Sequence, residues 1–137
     1  AERNGGAFGH AARDHGHAYQ CQVTVRGTPD PVTGMVMDLA QLDLVLKEEV
    51  MGRFDGRHLN LDVPEFAYGR TVPTGEMLAV HVWQRVAPRL PAGCALSVVR
   101  IQEEPLLWSE YRGEAWACRM RRRISSPLWK RCRSGWK

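Results

Sequence analysis

His15-Gly16-His17-Ala18-Tyr19-Gln20-Cys21-Gln22-Val23-Thr24-Val25-Arg26 is the stretch whose reading decides the fold. His15, His17, Tyr19, Cys21, Val23 and Val25 share one parity, and the intervening residues share the other. That is the two-residue period of a strand with one buried face. After it, Gly27-Thr28-Pro29-Asp30-Pro31-Val32-Thr33-Gly34 is turn chemistry, and Met35-Val36-Met37 is expected to form a short second strand. Before it, residues 1–14 are rich in Gly, Ala and polar residues and have no period, so a loop or frayed end is expected.

Farther along, Asp38 is placed to cap a helix over 39–51, with Leu39, Leu42, Leu46 and Val50 on one face and Gly52 at its end. Residues 53–73 form a long connection, of the kind that is often functional in compact domains. Thr74 is placed to cap a second amphipathic helix carrying Leu78, Val82, Val86 and Leu90, ended by Pro91-Ala92-Gly93. Residues 96–103 and 106–112 are two β-rich runs joined at Glu104-Pro105, which predicts a hairpin. The order β-β-α-α-β-β predicts an α+β fold, an antiparallel sheet with two helices on one face. Met77 and Trp83 are expected in the core or at a subunit contact, and Cys21 as a small core residue.

The composition of the 137 residues, 44% hydrophobic and 25% charged, is that of one globular domain long enough to bury a core. No apolar run approaches the ~18 residues of a membrane span. The start lacks both an initiator Met and a signal-peptide pattern, so a processed or truncated product in the cytoplasm is expected. Cys21, Cys94, Cys118 and Cys132 form no C-x-x-C pair, which predicts reduced thiols.

The net charge of +4 is unevenly placed. Residues 114–137 carry eight Lys/Arg against Glu114, which leaves residues 1–113 acidic. A nucleic-acid footprint over the whole fold is therefore not expected. The 1–113 segment is read as the folded domain. The 114–137 segment is read as a disordered basic tail, in which Trp116, Trp129 and Trp136 interleave the arginines and could meet RNA or anionic lipid.

On a strand, an H-x-H pair sets two imidazoles on one face about 7 Å apart at Cα, close enough to converge on one ion. His15 and His17 meet that spacing. Catalytic zinc usually has three protein ligands, so a third donor must come from elsewhere, and His10, His58 and His81 are the other histidines.

The stretches His15-Gly16-His17-Ala18-Tyr19, Asp30-Pro31-Val32-Thr33-Gly34-Met35-Val36-Met37-Asp38, His58-Leu59-Asn60-Leu61-Asp62-Val63-Pro64 and Thr74-Gly75-Glu76 together resemble the 6-pyruvoyl-tetrahydropterin synthase / 6-carboxy-tetrahydropterin synthase family. The resemblance covers residues 8–113 and implies the tunnelling fold, assembled as trimers stacked into hexamers with active sites between subunits. It implies a zinc-dependent lyase acting on 7,8-dihydroneopterin triphosphate. His15 and His17 match two of three zinc ligands, and Glu103 matches the glutamate that anchors the pterin ring. A carboxylate suits that task because it accepts two parallel N–H bonds. Thr74 and Gly75 match a pair lining the same pocket, usually Thr-Thr. Asp55 matches an aspartate that orients a catalytic histidine.

The sequence also departs from the family. The first zinc histidine belongs to a strand upstream of anything in this sequence, so the fold is expected with its first strand truncated. The catalytic base, a cysteine or a glutamate, would fall at Gly9, Ala11 or Ala12, and the histidine after the aspartate is Gly56. His58 is a weak substitute for it, His10 a weak substitute for the missing ligand, and Asp14 a weak base. An impaired lyase is expected, with a non-catalytic pterin-binding or assembly subunit as the alternative. The absent cysteine leaves tetrahydrobiopterin and queuosine biosynthesis undivided.

Overall fold

The computed structural model describes residues 18–114 and 118–122. Four strands, β1 (Gln20–Gly27), β2 (Cys94–Glu104), β3 (Leu107–Tyr111) and β4 (Cys118–Arg122), form one antiparallel sheet in the order β1-β2-β3-β4. Four α-helical segments intervene between β1 and β2: α1 (Leu39–Leu46), α2 (Gly52–Phe54), α3 (Leu59–Asp62) and α4 (Gly75–Val86). The α+β class and the antiparallel sheet agree with the sequence.

The strand expected at Met35-Val36-Met37 is not formed. This segment runs from a turn held by Asp30, whose Oδ1 accepts from the backbone N–H of Val32 (2.8 Å) and Thr33 (2.9 Å), straight to the Asp38 cap of α1. The Val36 carbonyl accepts from Cys94 Sγ at 3.1 Å, a side chain in place of a ladder partner. The order among the described residues is thus one strand, the helices, then three strands.

Asp38 caps α1 as expected, its Oδ1 accepting from Ala40 N at 2.9 Å. Of the expected face, Val50 is buried and Leu46 packs against the core, whereas Leu39 is exposed and Val45 is buried in addition. A π-helical turn at Lys47–Met51 adds a residue to the turn, so Val45 and Val50, five apart, share one face.

Helix α4 supplies most of the helical side of the core. Leu78, Val82 and Val86 are buried as the periodicity predicts, with Ala79 beside them, against Leu96, Val99, Ile101 and Tyr111 of the sheet. Val63 and Phe66 close the core from the connection after α3. Met77 and Trp83 pack at its margin, and the Trp83 ring meets Tyr111 edge-on, with 5.3 Å between centroids. Cys21 is exposed, not a core residue; on β1 it is Val23 and Val25, nearer the other end of the strand, that pack against the core.

The expectation of a wholly irregular tail is corrected at Cys118–Arg122, where β4 pairs with β3 in the register Leu107 with Arg122 and Tyr111 with Cys118. The backbone of β3 offers an unpaired edge there, and hydrogen bonding it does not require a side-chain period. No helix among the described residues is long and apolar enough to cross a membrane.

Candidate functional site

Glu103 owes its position to a β-bulge. Gln102 pairs with Trp108 and Glu104 with Leu107, so Glu103 is the extra residue on β2. Bulges bend a strand and re-aim its side chains. Along β2, Glu103 has the parity of Ile101, which faces the helices, and Ser109, the partner of Ile101 on β3, is buried on that same side.

The first residue of α4, Gly75, is buried directly behind this carboxylate. A Cβ built on Gly75 would collide with Glu103 Oε1 and stand 3.1 Å from Ser109 Oγ. Thr74 caps the helix with its hydroxyl oxygen accepting from Met77 N at 3.3 Å. The structure therefore brings Thr74, Gly75 and Glu103 together at one end of the sheet.

Tyr19 lies one step beyond the Gln20–Gln102 pair, across from Glu103 in the register of β1 and β2. Burial, with the negative charge of Glu103 added to it, pushes its phenol up to about 12. Tyr19 consequently stays a hydroxyl, able to donate, at neutral pH. Sequence reasoning took Tyr19 only as a strand residue, and the signal that could have found it is its register opposite Glu103. Among the described residues, Glu103 acts on Tyr19 through its charge and lies against Gly75.

Asp55 and His58 lie in the connection between α2 and α3. Asp55 is exposed, and Gly56 after it turns the chain with φ 66°. His58 caps α3, where its backbone N–H donates to Asp62 Oδ2 at 2.8 Å, and its ring lies 6.5 Å from that of Tyr68. The carboxylate bonded to the His58 backbone is thus Asp62.

Although Cys21 is exposed as a residue, desolvation of its sulfur by the surrounding strands pushes the thiol up to about 11, which is wrong for a nucleophile at neutral pH. His81 is buried between Phe54 and Phe66, with ring centroids at 5.6 and 5.3 Å, and is a structural residue. His10, Asp14, His15 and His17 lie outside the described residues. Among the described residues no three His, Cys, Asp or Glu side chains are grouped to hold a metal ion. Two surface clefts, one beside Arg26 and Gly93 and one of about 190 Å³ between Arg53, Arg57 and Asp62, do not include Glu103. Glu103 itself is half-buried, a ledge at the end of β2 beside the start of α4.

A family model described as 6-pyruvoyl tetrahydropterin synthase matches residues 2–114. The chain is 46% identical over 100 residues to a 6-pyruvoyl tetrahydrobiopterin synthase of Poecilia reticulata, covering 73% of this chain and 66% of that one. It is 42% identical over 100 residues to the Homo sapiens protein of the same name, covering 73% and 67%. The chain thus spans about two thirds of the length of these relatives. The solved structure of the Caenorhabditis elegans 6-pyruvoyl tetrahydropterin synthase superposes with a TM-score of 0.74 at 33% identity, covering 82% of this chain and 80% of that one. The tunnelling-type α+β architecture is shared with it.

Proposed function

Because this chain belongs to the 6-pyruvoyl tetrahydropterin synthase family, we propose that it is a zinc-dependent lyase acting on 7,8-dihydroneopterin triphosphate, with turnover impaired by loss of the usual catalytic base. The names of the relatives favour tetrahydrobiopterin biosynthesis over queuosine biosynthesis. The observation that carries the reading is the Glu103 carboxylate, the bulged residue of β2, set against Gly75 and Ser109 at the start of α4.

A planar aminopyrimidinone edge presents two parallel N–H donors, and Glu103 accepts both. Thr74 and Gly75 line the ring from the helix side. Tyr19 closes the other side as a neutral donor. His15 and His17 are the proposed zinc ligands. Zinc, when bound, supplies a positive charge that acidifies the hydroxyl groups of a substrate side chain. Asp55, with His58 as a weak substitute for the absent histidine, is the proposed proton-holding group of the same reaction. The other wall of the site is proposed to come from a second copy in a trimeric or hexameric assembly, as the family resemblance implies.

The exposed Asp55, followed by Gly56 where a ring would be needed, favours a second reading, a non-catalytic pterin-binding subunit. One experiment separates the two. Zinc is measured by elemental analysis on chelator-washed, zinc-reconstituted protein beside His15→Ala and His17→Ala, and triphosphate release from the substrate is followed in parallel. Stoichiometric zinc lost in both variants, with slow but zinc-dependent release, supports the lyase. Pterin binding with neither zinc nor release leaves the binding subunit. Absence of all three removes both.

A further inference from the structure

Strand β4 lies beyond residue 114, where the match to the family model ends. It changes the parity of the sheet. In an antiparallel sheet direction alternates strand by strand, so β1 and β3 run the same way, whereas β1 and β4 run opposite ways. Copies related by rotation about an axis along the strands keep their strand directions. A head-to-tail seam between such copies is parallel if β3 meets β1 and antiparallel if β4 meets β1. Only the second continues the ladder that the rest of the sheet uses, and closing it into a ring leaves no edge exposed.

Both edges suit such a seam. Among the described residues β1 and β4 are the outer strands of the sheet. The eight residues of β1 include no Pro and a charge only at Arg26, so β1 lacks the usual devices that keep an edge unpaired. Strand β4 is basic, but Arg121 and Arg122 are drawn back to acids of their own chain, Glu110 at 3.6 Å and Glu104 at 3.4 Å. Met120 of the same strand is apolar and 62% exposed. One row across the sheet reads Gln20, Gln102, Trp108, Arg121. This row lies at the end of the sheet that carries Tyr19 and Glu103. The seam therefore brings the positive end of β4 toward the end of the next copy where the Glu103 charge acts on Tyr19.

We propose that β4 is a seam strand: its outer edge receives β1 of a second copy of this chain, antiparallel, and copies joined head to tail in this way close into a ring. The residues beyond the family match thus supply the fourth strand that makes the closure antiparallel throughout. The seam also places Arg121 and Arg122 of one copy beside the Tyr19 and Glu103 end of the next, where they add positive charge for an anionic ligand. That last consequence rests on the site proposed above. The seam itself requires no ligand, so the two fail separately.

The test reads mass by sedimentation and backbone protection by amide hydrogen exchange on the full chain without ligand. The wild type is expected to sediment as a closed set of copies. On dilution its mass should fall to that of one chain while amides of β1 and β4 lose protection together, by roughly tenfold or more. The Met120→Pro/Arg121→Pro double variant removes a ladder N–H whichever of the two faces β3. It is expected to sediment as a single chain, and a peptide of residues 117–124 added in trans should restore the larger mass, whereas a peptide of the same residues in scrambled order should not. A wild type that stays a single chain, or β1 protection that does not follow the mass, overturns the proposal even where the variant does not fold. A folded variant that keeps the wild-type mass, or grows beyond it, overturns it as well, the second outcome showing that β4 caps the sheet instead of joining copies. Equal rescue by the scrambled peptide would attribute association to charge and also overturns it. Neopterin binding is not read in this test, so its absence bears on the pterin reading alone.

Discussion

Nε2 of His81 lies 3.5 Å from Nη2 of Arg53, a contact between a buried imidazole and a guanidinium that is itself paired with Glu65 at 3.0 Å. Arginine can only donate, so Nε2 must offer its lone pair and the ring must be neutral. Burial pushes the His81 pKa down first. Arg53 and Arg85 press in the same direction, while Glu65 and Glu49 oppose them. In the unfolded chain the imidazole titrates near about 6.5. Below that pH the unfolded state takes up a proton that the folded state resists, so stability is full above about 6.5 and falls as the pH drops toward the lower folded value. Between about pH 7.5 and about pH 5.5, the thermal midpoint of the wild type is expected to fall more than that of His81→Gln. Parallel falls would show that His81 is not the titrating group.

Phe66 links this cluster to the main core. It is 1% exposed, with its ring centroid 5.3 Å from His81 and 6.5 Å from Phe54. Phe66→Ala removes a large buried side chain and is expected to cost about 3–5 kcal/mol, from lost transfer energy and the cavity left behind. Urea unfolding measures it. A loss under about 1 kcal/mol would mean that the connection collapses to fill the space and that Phe66 is not a structural anchor.

Thr74 serves both the fold and the site, and the two roles separate on removal of its hydroxyl. Thr74→Ala is expected to cost about 1 kcal/mol of stability through the lost cap. Asp38→Ala, at the corresponding position of α1, is expected to cost a similar amount. Only Thr74→Ala should also weaken neopterin binding, because Thr74 adjoins Gly75 whereas α1 is remote from Glu103. Equal effects of both variants on binding would place the Thr74 contribution in general stability and not at the ledge.

Local features were legible where a residue acts on its own neighbours. The Asp38 and Thr74 caps, the Leu78, Val82 and Val86 stripe and the alternation of Tyr19, Cys21, Val23 and Val25 each state their structure within a few residues. The misses came where a non-local partner decided. Met35-Val36-Met37 has strand composition but no strand beside it, and residues 118–122 have no strand pattern yet meet the open edge of β3. The π turn after Leu46 and the bulge at Glu103 each insert one residue into a period, and no composition marks such an insertion. The site was legible mainly through resemblance, which placed Glu103, Thr74 and Gly75 in one pocket. The bulge that aims Glu103 and the close approach of Gly75 to its carboxylate required coordinates.

The basic strand β4 meets acids of its own chain. Glu110 Oε2 lies 3.3 Å from Arg112 and 3.6 Å from Arg121, and Glu104 Oε2 lies 3.4 Å from Arg122. These pairs are partly exposed, and each is expected to contribute under about 1 kcal/mol. Glu110→Gln should therefore speed amide hydrogen exchange in residues 118–122 by no more than about fivefold, with exchange in β2 unchanged. Raised salt should produce the same acceleration in the wild type and little in the variant, because screening removes what the substitution has already removed. Arginines engaged in this way are less available to a polyanion. Single-stranded RNA binding by Glu110→Gln should consequently exceed that of the wild type at low salt. An unchanged RNA affinity together with unchanged exchange would mean that β4 is held by its backbone ladder alone.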